Sequence, residues 1–257
     1  MAGLSAEGQR VVVTAGAAGI GRAIVEALAG AGARVYICDV DAETLAACAR
    51  SLGVGTTLAD VSDEAQVDRL FDEAASTLGG LDVLVNNAGI AGPTGAVEEI
   101  DPAEWRRCID IDLTGQFLCA RRAVPLLKQN ASGAIINMSS AAGRHGYAYR
   151  TPYSAAKWGV IGFTQSLAKE LGPSGIAVNA ILPGIVKGPR IEGVIRARAA
   201  QLGLTYAEME TQYLEKVSLR RMVTAEDVAQ MVLFLASPLG RNVSGQSIGV
   251  CGNVETL

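Results

Sequence analysis

Short β-branched runs alternate along the chain with longer stretches in which apolar residues recur every three or four positions. Residues 11–14, 35–38, 83–85, 135–138, 178–182 and 247–250 have the continuous apolar character of strands buried on both faces, and residues 56–59 form a weaker candidate. Between the first two runs, Ile20, Ala23, Ile24, Ala27, Leu28 and Ala31 mark one apolar helical face, and Gly32 closes that helix. This is a β-α-β unit. The alternation continues through predicted helices near 41–52, 63–78, 101–130, 153–172 and 224–236. It predicts an α/β fold, a doubly wound parallel sheet with helices on both faces, in one domain over 1–257. Roughly forty residues between Pro183 and Ala225 have helical pattern but no strand, which predicts a small helical lid at about 187–222. An extra pair of surface helices is the plainer alternative.

Composition narrows the function classes. The 22 basic and 26 acidic residues are mixed along the chain for a net charge of −4, so no basic tract suits a nucleic-acid backbone. His145 is the single histidine, which excludes a multi-histidine metal site; no metal is assigned, and a Ser-His hydrolase would have only one base to use. Five cysteines with no C-x-x-C pair (Cys38, Cys48, Cys108, Cys119, Cys251) fit a reducing compartment, and a cytoplasmic location is expected. No stretch approaches the ~20 apolar residues that span a bilayer, and the first ten residues carry no export pattern, so neither anchoring nor export is expected.

The segment TAGAAGIG, from Thr14 to Gly21, joins the first strand to the first helix. Small residues at Gly16, Ala18, Gly19 and Gly21, with Ile20 opening the helix, let a pyrophosphate approach the backbone and meet the positive helix end. A tight strand-to-helix turn would use the same glycines; the placement in the first β-α-β unit favours the dinucleotide reading and a Rossmann-type sheet. Asp39 ends the second strand eighteen residues after Gly21, where a carboxylate accepts bonds from ribose hydroxyls and repels a 2′-phosphate. That favours NAD over NADP. As a bare turn residue, Asp39 would carry no such meaning. Tyr153 and Lys157 stand at i and i+4 on one helical face. A phenol ionises near pH ~10, so use as a base near neutrality needs roughly 4 kcal/mol of preferential anion stabilisation, about what one ammonium at ~4 Å supplies at an effective dielectric constant near ~20. By itself the pair is also common as a solvated helix pair.

Taken in order and spacing, these features resemble the short-chain dehydrogenase/reductase family in its compact one-domain type. The resemblance runs over nearly the whole chain: the glycine loop, Asp39, Asp60 with Val61, Asn86-Asn87-Ala88-Gly89, the 105–117 stretch, Ser139-Ser140, Tyr153 with Lys157, and Pro183-Gly184. It implies that Tyr153 is the general acid/base, that Ser140 holds the reacting oxygen, and that Lys157 assists the tyrosine and binds the nicotinamide ribose. It further implies adenine contacts at Asp60 and Val61 and a cofactor-side loop at Asn87, Ala88 and Gly89. The nicotinamide end would lie along Pro183, Gly184 and Val186, Asn86 and Ser139 would be structural, and a homotetramer would form through the helices at 113–130 and 153–172 and the last strand.

Three positions depart from the family pattern. Ala15 stands where the glycine series normally begins, Gly188 replaces a hydroxyl residue after Pro183-Gly184, and Asp112 replaces an asparagine that holds a water near the lysine. As a carboxylate, Asp112 would offset the Lys157 field and move the activity optimum to somewhat alkaline pH; pointing away at a helix bend, it would do neither. The implied reaction is NAD-dependent interconversion of a secondary alcohol and a ketone. Arg144, His145, Arg150, Lys187, Arg190, Arg196 and Arg198 concentrate near the expected pocket. They suggest a small anionic substrate, a hydroxy acid or acidic sugar, unless they form an ordinary solvated face. The alternatives are a β-ketoacyl thioester reductase, against which Asp39 counts, and a non-catalytic NAD-binding protein.

Overall fold

The computed structural model of the chain describes residues 4–254, the side chains of residues 190, 197 and 201 excepted. Its apolar runs form seven strands: β1 (Arg10–Thr14), β2 (Arg34–Asp39), β3 (Gly55–Leu58), β4 (Val83–Asn86), β5 (Gly133–Met138), β6 (Ile176–Pro183) and β7 (Ser247–Val250). They pair in parallel in the order β3-β2-β1-β4-β5-β6-β7, with Val12 of β1 opposite both Tyr36 and Leu84. Because the chain goes to one side after β1 and to the other after β4, the loops leaving these neighbouring strands part and open a crevice at the strand ends.

Alternation along each strand supplies both faces of the sheet. Val11, Val13 and Ile136 pack against Ile24 and Leu28 of α1 (Gly19–Gly30) and Val228 and Val232 of α9 (Ala225–Ala236); α2 (Ala42–Leu52) adds Leu45 and Cys48. On the opposite face Val12, Leu84 and Ile135 meet Leu70 and Phe71 of α3 (Glu64–Leu78), with Cys119 of α5 (Gly115–Leu127) and Leu171 of α6 (Thr151–Leu171). Each fully buried aliphatic or aromatic side chain here contributes roughly 1.5–3 kcal/mol. Two further helices, α7 (Pro189–Leu202) and α8 (Tyr206–Glu215), gather around Ile195, Ala199 and Met209 in a small cluster of their own. Among the described residues no helix is long and apolar enough to cross a membrane.

The strand and helix pattern of the sequence agrees with these elements except over 101–130, which is not one helix. It comprises α4 (Pro102–Ile109), a π-helical turn over Asp110–Thr114, and α5. A π-turn inserts an extra residue and rotates the side chains that follow. Two glycines allow it to pack. A Cβ at Gly115 would lie 2.8 Å from Val61 Cγ2, and one at Gly159 of α6 would lie 2.7 Å from Leu113 Cδ2. The turn carries Asp112 to complete burial, which hydrophobic periodicity alone does not reveal.

The departure at Ala15 also has a visible consequence, since this residue holds φ +49. An L-residue in the left-handed region costs about 1–2 kcal/mol, part of which a glycine would return as unfolded-state entropy. Ala15→Gly is therefore expected to raise Tm by about 1–4 °C in a calorimetric scan, the equivalent of roughly 0.5–1 kcal/mol in a chain of this size.

Candidate active site

The crevice begins at an uncapped helix. Asp41, Asp63, Asp101, Thr205 and Thr224 each cap a helix by accepting a backbone N–H, whereas Ala18 ahead of α1 offers no side-chain acceptor and the first turn holds no acid. The first N–H groups of α1 are therefore left for an anion. The loop is held close to its neighbours. A Cβ on Gly21 would lie 2.0 Å from the Ala15 carbonyl oxygen and 2.6 Å from Asn87 Nδ2, and one on Gly16 would lie 2.7 Å from Ile37. At Gly19, with φ +53, nothing lies within 4 Å on the Cβ side. A dinucleotide's pyrophosphate fits this arrangement: tight packing behind the loop, open space before Gly19 and the first N–H groups of α1 without a side-chain cap.

Asn87 stitches the two sides of the crevice together. Its Nδ2 donates to the carbonyls of Thr14 and Ala15 at 3.0 Å each, while Thr14 Oγ1 accepts from the N–H of Asn87 at 3.0 Å and of Ala88 at 2.9 Å. Asn86 donates to Asn137 Oδ1 at 2.9 Å, tying β4 to β5. Asp39, at the end of β2, accepts from the N–H of Ala17 at 3.2 Å and of Val40 at 2.8 Å, which fixes its carboxylate beside the loop. Asp60 accepts from Ser62, and Val61 is buried against Gly115. Pro183 and Gly184 leave β6, and Val186 bridges to Val223 through the N–H of Lys187 and the carbonyl of Ile185. The backbone groups of Val186 itself consequently face the other way. Gly188 offers no side chain.

At the same end of the sheet β5 stops at Met138 and Ser139-Ser140 turn toward α6. Ser139 Oγ donates to the Lys157 carbonyl at 2.8 Å. A Cβ at Gly143 would come within 2.4 Å of Ser139 Oγ and 2.6 Å of the Lys157 carbonyl oxygen, so the Ser140 turn is seated directly on α6. Ser140 Oγ accepts from the N–H of Ala142 at 3.2 Å. Lys157 is buried; its Nζ donates to the Met138 carbonyl at 3.2 Å, lies 3.8 Å from Asp112 Oδ2, and stands 5.5 Å from the centre of the Tyr153 ring. Asp112 Oδ1 accepts from the Ile90 N–H at 2.6 Å. Its Oδ2 also faces Cys108 Sγ at 3.9 Å, and burial, reinforced by Asp112, pushes that thiol up to about 11, so Cys108 stays protonated near neutrality. A Cβ on Gly89 would lie 2.9 Å from Asp112 Oδ1, which brings the Asn87–Gly89 loop against this pair.

The cations separate into distinct settings. Arg150 lies over the Tyr147 ring at 5.2 Å and the Tyr153 ring at 5.0 Å. Arg144 instead donates to the Ser247 carbonyl at 2.7 Å, toward β7, and Arg196 stacks on Tyr206 at 5.9 Å within the α7–α8 cluster. His145 is half-buried, its N–H bonded to the Ala141 carbonyl; the side chain of Arg190 lies outside the described residues. Sequence reasoning missed Tyr147, although residues 147, 150 and 153 recur every three positions. It also missed Gln116, whose Nε2 joins the carbonyls of Asp112 and Met138 at 3.1 Å each. Its only sequence signal is i+4 spacing from Asp112.

A family model described as enoyl-(acyl carrier protein) reductase matches residues 15–253. Cis-4-hydroxycyclohexanecarboxylate dehydrogenase of Sinomonas cyclohexanicum is 40% identical over 96% of this chain and 96% of that protein. D-beta-hydroxybutyrate dehydrogenase of Cupriavidus necator is 35% identical over 93% of this chain and 94% of its own length. A crystal structure of an actinorhodin polyketide ketoreductase variant with NADPH superposes with a TM-score of 0.91, 32% identity and 100% coverage of both chains.

The Asp112–Lys157 pair has a kinetic consequence. The carboxylate, 3.8 Å from Lys157 Nζ, offsets part of the ammonium's field at the neighbouring Tyr153 ring, and removing the charge strengthens that field. Asp112→Asn is expected to move the acidic limb of the kcat/KM pH profile toward lower pH by about one unit, the equivalent of roughly 1.4 kcal/mol. Superposable parent and variant profiles would refute the electrostatic role.

Proposed function

The chain belongs to the short-chain dehydrogenase/reductase family and interconverts a secondary alcohol and a ketone with a nicotinamide cofactor, and on that premise we propose that it is an NAD-linked dehydrogenase of a small hydroxy acid. The observation that carries the mechanism is the buried Lys157 ammonium facing the Tyr153 ring beside the Ser140 turn, at the mouth of the crevice. The bound nicotinamide supplies a hydride acceptor. Tyr153, as phenolate, takes the proton of the substrate hydroxyl while Ser140 Oγ holds the same oxygen in line. Lys157 favours the phenolate and presents a donor to the cofactor's ribose. In the reductive direction Tyr153 returns the proton. Gly16, Ala18, Gly19, Ile20 and Gly21 would cradle the pyrophosphate, with Asp60, Val61, Asn87, Ala88, Gly89, Pro183, Gly184 and Val186 along the rest of the dinucleotide.

The charges around Asp39 support NAD. Arg22, the nearest cation on α1, is paired with Glu26 at 2.8 Å, and Arg34 donates to the carbonyls of Leu78 and Thr77, so neither is poised for a 2′-phosphate. Two relatives named for hydroxy acids support the substrate class. A β-ketoacyl reductase is the second reading, favoured by the likeness to a polyketide ketoreductase bearing NADPH; Asp39 opposes it. Exposed Phe117 on α5 and Trp158 on α6 support assembly as a homotetramer through those helices. The five free cysteines support a cytoplasmic location.

Two measurements test this reading. Tyr153→Phe is expected to lower turnover of a hydroxy acid by about 10²–10⁴-fold while NADH still binds with near-parental affinity by fluorescence titration; a parent inert toward every hydroxy acid, polyol and hydroxyacyl thioester would favour a binding protein instead. Asp39→Asn is expected to raise the NADP/NAD ratio of kcat/KM by about tenfold or more, each tenfold being roughly 1.4 kcal/mol of relieved repulsion. A parent already faster with NADP would overturn the cofactor assignment.

A further inference from the structure

We propose that Arg150 is the anion-binding arm of the substrate pocket, its guanidinium receiving a carboxylate of the hydroxy acid while Tyr153 works on the hydroxyl. The proposal deepens the reading above and rests on it for the position of the reacting oxygen.

The position of Arg150 is set by flat surfaces. The cation lies over both the Tyr147 and Tyr153 rings, 5.2 and 5.0 Å from their centres, and its Nη2 donates to the Ala91 carbonyl at 2.6 Å. The two rings and that carbonyl hold the guanidinium plane next to the phenol that handles the proton. Ala91 belongs to the loop that passes directly by Tyr153: a Cβ on the next residue, Gly92, would be 4.0 Å from Tyr153 Cβ. On the far side α8 contributes Tyr213, a phenol raised above its ordinary range, chiefly by burial and also by Tyr147, with Arg198 and Arg150 acting the other way. Arg150 and Tyr147 thus lie near Tyr213 of α8 as well as near Tyr153.

Among the described residues no carboxylate pairs with this charge. Its Nε is buried without an acceptor, and among the described residues Nη1 has no partner either. A buried donor left unpaired is unfavourable, and a partly desolvated guanidinium without a counter-charge more so. A planar carboxylate offers oxygens spaced for the donor fork and the missing negative charge together. Arg144 and Arg196, by contrast, are occupied elsewhere. Stiffening of Tyr153 by the stacked cation is the competing explanation, and it makes no distinction between an acid and its ester.

The test compares the NAD-saturated parent with Arg150→Met and Arg150→Lys. In one arm, kcat/KM is measured for a hydroxy acid and its methyl ester. The acid-to-ester ratio is expected to fall by about ten- to a hundredfold in Arg150→Met, mainly through KM, with partial recovery in Arg150→Lys, as suits loss of a charge-assisted hydrogen-bonded pair. In the other arm, calorimetric titration with cyclohexanecarboxylate, which has no hydroxyl to oxidise, is expected to show at least about tenfold weaker binding to Arg150→Met. An unchanged ratio with equal losses for acid and ester, or carboxylate binding indifferent to the substitution, overturns the proposal even if the parent is an active dehydrogenase. Carboxylate binding that depends on Arg150 in a parent inert toward every alcohol sustains the anion site while removing the proposed reaction.

Discussion

An ammonium held out of water at the ends of parallel strands is the constraint around which this molecule is arranged. Burying Lys157 without partners would be severely unfavourable, so its surroundings must answer it: the Met138 carbonyl from β5, the Asp112 carboxylate from the π-turn, and the face of the Tyr153 ring one helical turn away. Each comes from a different element. The sheet, α6 and the 102–127 segment are thereby fixed relative to one another by a single charge. The Ser139 hydroxyl bonded to the Lys157 carbonyl locks the helix to the strand at the same level. Because the ammonium is ordered by these contacts, its orientation toward the Tyr153 ring is set in advance, as the proposed reaction requires.

The other half of the crevice works by leaving something undone. Five helices among the described residues carry an Asp or Thr cap, whereas α1, with α5, α6 and α7, has none, and Asn87 ties down the loop that leads into it. Local stability is forgone at α1, as the proposed anion site there requires, just as Ala15 sits in an unfavourable backbone region to make the turn. Arg150 follows the same logic: among the described residues it is held by two ring faces and the Ala91 carbonyl instead of by a counter-charge.

Much of this was legible in the sequence because the signals were local. Strand runs, the TAGAAGIG loop, Asp39 and the Tyr153–Lys157 spacing each specify a conformation or a shared face within a few residues, and the structure places them where that spacing implies. What the sequence concealed depends on tertiary contact. A π-turn has no periodicity of its own, so the 101–130 stretch reads as one helix until Leu113 and Val61 are seen packed on glycines. Likewise Arg144, Arg150 and Arg196 look alike as loop and lid cations; only folding shows one bonded toward β7, one stacked on the phenol and one held by Tyr206.

The bare Cα at residue 159 has a reach beyond its size. It lies on α6 two residues past Lys157, and the space beside it is filled by Leu113, the neighbour of Asp112 in the chain. A methyl group added there would meet the end of the Leu113 side chain, which would have to turn away from α6. The fit of the π-turn against α6 thus depends on the size of residue 159 together with the side chain at 113.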